Sequence, residues 1–260
     1  MKRRVFVLAL CFALIFSFTV SAQTVKNKAN AVSLEIPDGY TVLTEDNLRR
    51  NDEFLEKLGH TVDSFRKKME EGGILIYAAT SDNRRQIQLK TWTSDFSETA
   101  QDLTRLDDEA LTQARETLLE QMNQPGQAIT NVAQVTTKDL IFFRITALVS
   151  GGEKDFCFRQ YLTVANGRYY ALVYYNDEAE LSAAQQEEAE SVFSTLSIEK
   201  KKSGGLIAGN TVVQIVLITA VLAAAVFLTV LIVLSFIRDI RNRRRELEPL
   251  PEHIKMRRKK

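Results

Sequence analysis

The stretch FCFRQYLTVANGRYYALVYY, from Phe156 to Tyr175, decides the fold of this chain. It contains two runs rich in aromatic and β-branched residues, separated by Asn166-Gly167, and Asn-Gly between such runs is a strong signal for a β-hairpin. The second run is apolar on both faces after Arg168. Because strands of this kind lie inside a sheet that is covered on both sides, we predict that the second run is a central strand with helices on each side.

Six more segments around this hairpin are predicted as strands: Ser33–Ile36, Tyr40–Thr44, Ile74–Ala79, Gln86–Lys90, Ile129–Thr136 and Leu140–Val149. The continuous apolar run of Ile74–Ala79 indicates an inner strand, whereas the alternating pattern of Gln86–Lys90 indicates a half-exposed strand. Turns are predicted at Pro37–Gly39 and Asp82–Arg84, where turn-forming residues cluster.

Four segments have apolar residues at three- and four-residue steps and are predicted as helices. They are Glu45–Leu58, a helix that starts at Val62 and stops at Gly72-Gly73, Asp102–Asn123 and Asp177–Leu196. Thr61 is placed to cap the second of these helices, and Gly59 is placed to end the first. Since hairpins join most strands and the helices are bunched between them, we predict one α+β domain with a mainly antiparallel sheet flanked by helices.

The opening Leu34-Glu35-Ile36-Pro37-Asp38-Gly39-Tyr40, with helices, a long antiparallel sheet and a closing amphipathic helix after it, resembles the PsbP-like superfamily (PsbP, Mog-type and exported bacterial DcrB-like domains). The resemblance covers roughly residues 32–198, with Tyr40 where a tryptophan is more usual. It implies an α/β/α sandwich that serves as a binding scaffold and has no catalytic role. It implies no shared partner.

From Thr211 to Ile237 the chain has 27 residues without Asp, Glu, Lys or Arg. A helix of this length would be roughly 40 Å long, which exceeds the hydrocarbon thickness of a bilayer. We therefore predict a transmembrane helix at 211–237. The alternative is a buried helix of a soluble domain, but such helices rarely exceed 20 residues without a polar face.

Residues 1–22 have the pattern of a cleaved signal peptide. Lys2, Arg3 and Arg4 precede the apolar run Val5–Phe16, and Val20-Ser21-Ala22 supplies the small residues of a cleavage site. An uncleaved anchor is the alternative, and both interpretations export the domain predicted for residues 23–198.

The net charge is unevenly distributed along the chain. Residues 1–22 carry +3 and residues 238–260 carry +6, so the total of +1 leaves −8 for the residues between them. The acidic outer part argues against nucleic acid as a partner. A basic tail directly after the helix is typical of a cytoplasmic end. We therefore predict a single-pass plasma-membrane protein with an outer domain, a linker at 199–210 and a cytoplasmic tail.

Groups that carry catalysis or bind metals are scarce. Residues 23–198 contain one histidine, His60, and one cysteine, Cys157, which is predicted to be buried. Neither a hydrolytic triad, a zinc site nor a cofactor site is predicted. The acidic runs Asp107-Asp108-Glu109 and Glu187-Glu188 could act as acid–base pairs or calcium ligands, but on predicted polar helix faces they are more typical of a solvated surface.

Two sets of residues are candidates for binding. The aromatic residues either line a pocket or pack in the core: Trp92, Tyr169, Tyr170, Tyr174 and Tyr175. The arginines after the predicted transmembrane helix either contact anionic lipid headgroups or only fix the topology: Arg238, Arg241, Arg243, Arg244 and Arg245.

These features predict a membrane-tethered, extracytoplasmic binding module without a catalytic centre, whose partner is an unidentified protein, peptide or cell-wall component. Two alternatives stay open. One is a signalling or complex subunit that couples the outer domain to the tail. The other is a carboxylate-dependent hydrolase with a cleft that is not visible from sequence.

The predicted topology can be checked with a protease added outside intact cells. We expect residues 23–198 to be digested and an epitope at the carboxyl end to be spared, because the charge step at Arg238 places that end inside. Protection of the domain would contradict this topology.

Overall fold

The computed structural model describes residues 22–122, 127–150 and 155–200. The predicted signal peptide apart from Ala22, the linker beyond Lys200, the predicted transmembrane segment 211–237 and the basic tail 238–260 lie outside the described residues. In the described part of the chain, no helix is both long enough and apolar enough to cross a bilayer.

The described residues form an α+β fold with two antiparallel sheets. The larger sheet has seven strands in the order β3, β4, β5, β9, β8, β7, β6. In chain order these strands are β3 (Tyr40–Leu43), β4 (Ile74–Thr80), β5 (Arg85–Trp92), β6 (Gln127–Thr137), β7 (Leu140–Val149), β8 (Phe156–Ala165) and β9 (Arg168–Asn176).

The predicted hairpin and the central position of β9 are confirmed. The strands β8 and β9 pair antiparallel around Asn166 and Gly167, whose φ angles of 55° and 75° match a type I′ turn. The strand β9 is the fourth of seven, and every residue of it after Arg168 is buried. The alternating faces of β9 therefore contact two different covering layers.

The smaller sheet was not predicted from the sequence. It consists of β1 (Ala22–Asn27), β2 (Val32–Pro37) and the two-residue β10 (Ser197–Ile198), with β2 in the middle. The strands β2 and β3 meet at the predicted turn, but they pair in different sheets.

In the described part of the chain, five helices cover the larger sheet: α1 (Asp52–Lys57), α2 (Val62–Glu71), α3 (Asp95–Ala100), α4 (Asp108–Met122) and α5 (Ala183–Thr195). Two 3-10 helices, Glu45–Asn51 and Leu103–Arg105, precede α1 and α4. The helix α3 was not predicted. As predicted, the Thr61 side chain caps α2 by accepting a hydrogen bond from the backbone N–H of Ser64.

Two of the predicted helices were wrong in extent. The predicted helix Asp102–Asn123 is interrupted at Leu106, whose backbone is extended, because Asp102 caps the 3-10 helix and the Asp107 carboxylate accepts from the N–H of Ala110 at the start of α4. The last helix begins after Ser182, whose hydroxyl accepts from the Gln185 N–H, and not at Asp177.

The two faces of the larger sheet have different covers. One face packs against α1 and α2 at the β3–β4 end and against α3 and α4 over β7, β8 and β9. The other face packs against α5 and the smaller sheet. Phe193 of α5 stacks on Tyr161 with ring centroids 4.0 Å apart and meets Phe142 edge-on.

The prediction that β5 is half-exposed was wrong. The side chains of Gln86, Gln88 and Lys90 are buried, on the face of the sheet that α1 and α2 cover at one end and α3 and α4 cover at the other. They are buried because β5 lies inside the sheet, between β4 and β9. The Gln88 amide donates to Gln86, and the Gln86 amide donates to Asn83. Lys90 is 2% exposed, and its Nζ has no hydrogen-bond partner among the described residues.

Burial of the Lys90 amine lowers its pKa from the ordinary 10.5 to about 8. The unfolded chain therefore binds a proton more readily than the folded chain between about pH 8 and pH 10.5. Linkage then makes the free energy of unfolding rise with pH across this window. Below pH 8 the buried ammonium destabilises the fold.

We expect Lys90→Met to raise the free energy of unfolding at pH 7 by about 3 kcal/mol, because an apolar side chain of similar length replaces an unpaired buried amine. The gain over wild type should shrink as pH rises from about 8 towards 10.5. Urea unfolding at a series of pH values, followed by the fluorescence of Trp92, the single tryptophan, measures both effects.

Lys57→Met is the matched control, since Lys57 lies exposed on α1. This substitution should change the free energy of unfolding little at any pH. A Lys90→Met variant that is less stable than wild type at pH 7, or a gain that does not depend on pH, would contradict the account of Lys90.

Candidate functional site

A cleft of about 490 Å³ opens between the β1–β2 turn, the helix α2 and the adjoining strands; we call it the α2 cleft. Its apolar lining consists of Ala29, Leu48, Met69, Ile74 and Leu75. Gly73 also lines it, and its polar side chains are Asn30, Glu45, Arg66, Glu70, Thr91 and Arg168. A volume of this size fits a small ligand or a few residues of a peptide.

Arg168 lies in this cleft at the first position of β9, directly after the hairpin turn. Its Nη1 donates a long hydrogen bond of 3.4 Å to Oδ1 of Asn30. Its Nε is buried and has no hydrogen-bond partner among the described residues. The guanidinium thus retains donors that the described part of the protein does not use.

Arg168 has no carboxylate partner among the described residues, which distinguishes it from the other arginines that are shielded from solvent. Five arginines in the described part of the chain are buried or half-buried, and four of them form ion pairs with carboxylates: Arg66, Arg85, Arg144 and Arg159. No carboxylate of the described residues pairs with Arg168. A shielded guanidinium without an anion is a candidate binding group, because arginine is suited to recognise carboxylates and phosphates.

The β1–β2 turn positions Asn30 over the start of β9. The Asn27 Oδ1 accepts from both the backbone N–H and the side-chain amide of Asn30, each at 3.1 Å. The Tyr170 hydroxyl donates to the Asn30 carbonyl at 3.5 Å. Asn30 is therefore held from two sides, and its side chain fixes one end of the Arg168 guanidinium.

The rim of the α2 cleft carries charges of both signs. Glu45 and Glu70 are exposed, and Arg66 on α2 pairs with Asp63 at 2.9 Å. The lining includes neither histidine nor cysteine. The arrangement can bind an elongated ligand with an apolar part and a negatively charged end.

The five predicted binding aromatics do not form one pocket. Trp92 stacks on Tyr169 with ring centroids 5.1 Å apart, and Tyr175 lies on the same face of the sheet. Tyr170 and Tyr174 lie on the opposite face, under α5 and the smaller sheet. The four tyrosines are buried and Trp92 is half-buried, so core packing accounts for the positions of these side chains.

The other residues considered from sequence have structural contacts or lie outside the described chain. The Cys157 thiol is buried, which raises its pKa, as expected for an inert thiol. His60 is half-buried, and its ring meets Phe65 edge-on. The arginines Arg238, Arg241, Arg243, Arg244 and Arg245 lie outside the described residues.

The two acidic runs also have structural contacts. Asp107 caps α4. Glu188 pairs with Arg85 at 2.8 Å and accepts a hydrogen bond from the Tyr40 hydroxyl, so it links α5 to the larger sheet. The described residues contain no group of three or more His, Cys, Asp or Glu side chains that could hold a metal ion.

Sequence reasoning did not identify Arg168 and Asn30 as candidates. One signal was present for Arg168, a single charged residue at the start of a strand that is otherwise apolar. No comparable signal marked Asn30, which joins the α2 cleft only through the pairing of β1 with β2.

No known protein family matches the sequence, and no curated protein matches it. Among solved structures, the chain is similar to PsbP of the cyanobacterium Synechocystis sp. PCC 6803, with 10% identity, a TM-score of 0.43 and coverage of 71% of this chain and 96% of that chain. The resemblance to PsbP predicted from the sequence is thus confirmed as a similarity. At this identity and TM-score it carries no conclusion about activity, ligand or partner.

Two further similarities are weaker. A protein of Bacteroides thetaiotaomicron matches with 9% identity and a TM-score of 0.37, covering 66% of this chain and 47% of that chain. A Pseudomonas aeruginosa protein of unknown function matches with 12% identity and a TM-score of 0.31, covering 73% and 99%.

Proposed function

We propose that this protein is a membrane-tethered, extracytoplasmic binding module whose α2 cleft receives a ligand bearing a carboxylate, carried by a protein, a peptide or a cell-wall component. The domain would be an α/β/α-type sandwich that serves as a rigid scaffold. The unpaired guanidinium of Arg168 carries the proposal, because each of the other shielded arginines in the described chain has a carboxylate partner.

The chemistry of the α2 cleft favours a peptide-like ligand. Leu48, Met69 and Ile74 are buried beneath the cleft and Leu75 is half-buried, which suits an apolar side chain of a ligand. Arg168 can bind a carboxylate, and the exposed carboxylates of Glu45 and Glu70 can attract a positive group. A ligand with charges of both signs and an apolar part would match all three features.

Binding suits this cleft better than catalysis. Its lining has no histidine or cysteine to act as base or nucleophile, and its two carboxylates lie exposed at the rim. In the acidic run Glu187-Glu188, the carboxylate of Glu188 already forms an ion pair with Arg85. We therefore propose no reaction for the domain.

The proposed location follows from the sequence outside the described residues. The signal peptide at 1–22 and the transmembrane helix at 211–237 would place the domain outside the plasma membrane, and the basic tail 238–260 would lie in the cytoplasm. In this arrangement the tail arginines would contact anionic lipid headgroups. The net charge of −8 in the residues between these ends makes nucleic acid an unsuitable partner.

A photoreactive phenylalanine analogue in place of Ala29, an exposed residue of the cleft, tests the proposal in the full-length protein in its own membrane. We expect a crosslinked adduct with a defined partner. Arg168→Gln should weaken this adduct by about tenfold or more, because a charge-assisted hydrogen bond to the ligand is lost.

Two controls make the result specific. The same analogue in place of the exposed Gln113 on α4, outside the cleft, should give no such adduct. Arg84→Gln removes an exposed arginine that pairs with Asp177 and Glu178, and it should leave the Ala29 adduct unchanged. Equal adducts from both analogue positions, or an Ala29 adduct that Arg168→Gln does not weaken, would contradict the proposal.

A further inference from the structure

The strand β6 forms one edge of the seven-stranded sheet. It spans Gln127–Thr137, and β7 is its only pairing partner among the described residues. Its 11 residues make it the longest strand described. The edge facing away from β7 therefore presents a long row of backbone donors and acceptors to which the described chain gives no strand partner.

This edge lacks several of the features that prevent edge-to-edge pairing. β6 contains no charged residue and no proline, although 26% of the residues in the chain are charged. Lysine, proline, short length and β-bulges are among the devices that keep a sheet edge from pairing with another chain. The first three are absent from β6. Its register shifts against β7 only at Thr130, which leaves Asn131–Thr137 as a regular segment that another strand can join.

The opposite edge of the same sheet, formed by β3, is protected against pairing with another strand. The strand β3 has only four residues, and the Asn47 side chain donates to the carbonyl of Val42 at 2.9 Å. The Tyr40 hydroxyl is engaged by Glu188. One edge of the sheet is thus short and partly capped, and the other is long and has no strand partner among the described residues.

We propose that β6 pairs antiparallel with β6 of a second copy of this chain, so that two seven-stranded sheets join into one. A two-fold dimer joins the two β6 strands in opposite directions, so a charge close to the axis would lie near its own copy, and charges of one sign on the two sides of the axis would face each other. The strand β6 has no charge to create this repulsion. Its exposed side chains include Asn131, Gln134 and Thr136, which can form hydrogen bonds with polar side chains of the facing strand.

Membrane attachment would favour this pairing, and this step rests on the proposed function. Anchored copies share one orientation relative to the membrane, and a two-fold axis along the membrane normal preserves that orientation. Tethering also raises the local concentration of the domain. The α2 cleft is lined by residues of the β1–β2 turn, the 3-10 helix Glu45–Asn51, α2, β4, β5 and β9 and by Gly73. None of these residues lies on β6 or β7, so pairing through β6 leaves the cleft accessible.

Cysteine crosslinking of the full-length protein in membranes tests the pairing. Single substitutions Asn131→Cys, Gln134→Cys and Thr136→Cys place thiols at exposed positions along β6, whereas the native Cys157 is buried. We expect a short bismaleimide to produce a covalent dimer from at least one of these variants. Thr24→Cys, exposed on β1 in the smaller sheet, is the matched control and should produce none.

Charge substitutions show whether a variant that forms no dimer has lost the interface or has failed to fold. A cysteine that crosslinks to its own copy lies close to the two-fold axis. Lysine at the two nearest remaining positions among Thr130, Asn131, Gln134 and Thr136 should reduce this dimer by about tenfold or more, because like charges then lie near each other beside the axis. Copies bearing glutamate at the same two positions should restore dimers when mixed with the lysine copies, which only folded partners can do.

Several outcomes would overturn the inference. These are no dimer from any β6 cysteine, dimers that the lysine pair does not weaken, failure of the glutamate copies to restore pairing, and crosslinking of β6 only to a different protein. The Ala29 adduct, measured in the same membranes, reports the α2 cleft independently. The dimer can therefore fail while cleft binding stands, and the reverse also holds.

Discussion

The burial of β9 on both faces is the constraint on which the rest of this structure depends. Tyr170, Leu172 and Tyr174 face α5 and the smaller sheet, while Tyr169, Val173 and their neighbours face α3 and α4. Such a strand exposes large apolar surface unless two separate layers cover it. The helices and the smaller sheet supply these layers, which explains why the chain returns at its end to place α5 and β10 against the sheet.

The candidate site lies where this burial ends. Arg168 begins β9 and is only half-buried, and the β1–β2 turn brings Asn30 to its guanidinium. The sheet and α2 provide a fixed apolar floor beside this cation. A binding group held on a rigid strand needs little reorganisation when a ligand arrives. The same strand that organises the core thus also positions the proposed anion-binding group.

Local sequence signals predicted the hairpin, most of the strands and the capped start of α2, because turn chemistry and periodicity act over a few residues. The smaller sheet escaped prediction since β10 has two residues and pairs with a strand near the other end of the chain. Alternation in β5 suggested exposure, but the layers on both sides are a tertiary property. The α2 cleft was beyond sequence reasoning, because Asn30 and Arg168 lie 138 residues apart.

Native-state hydrogen exchange of the full-length protein tests the central position of β9 most directly. The account predicts that amides from Tyr169 to Tyr175 exchange last, with a free energy of opening equal to that of global unfolding. The amides of β1 and α1 should exchange earlier, because β1 is an edge strand of the smaller sheet and α1 has only six residues. Exchange of the β9 amides before those of β1 or α1 would contradict the account.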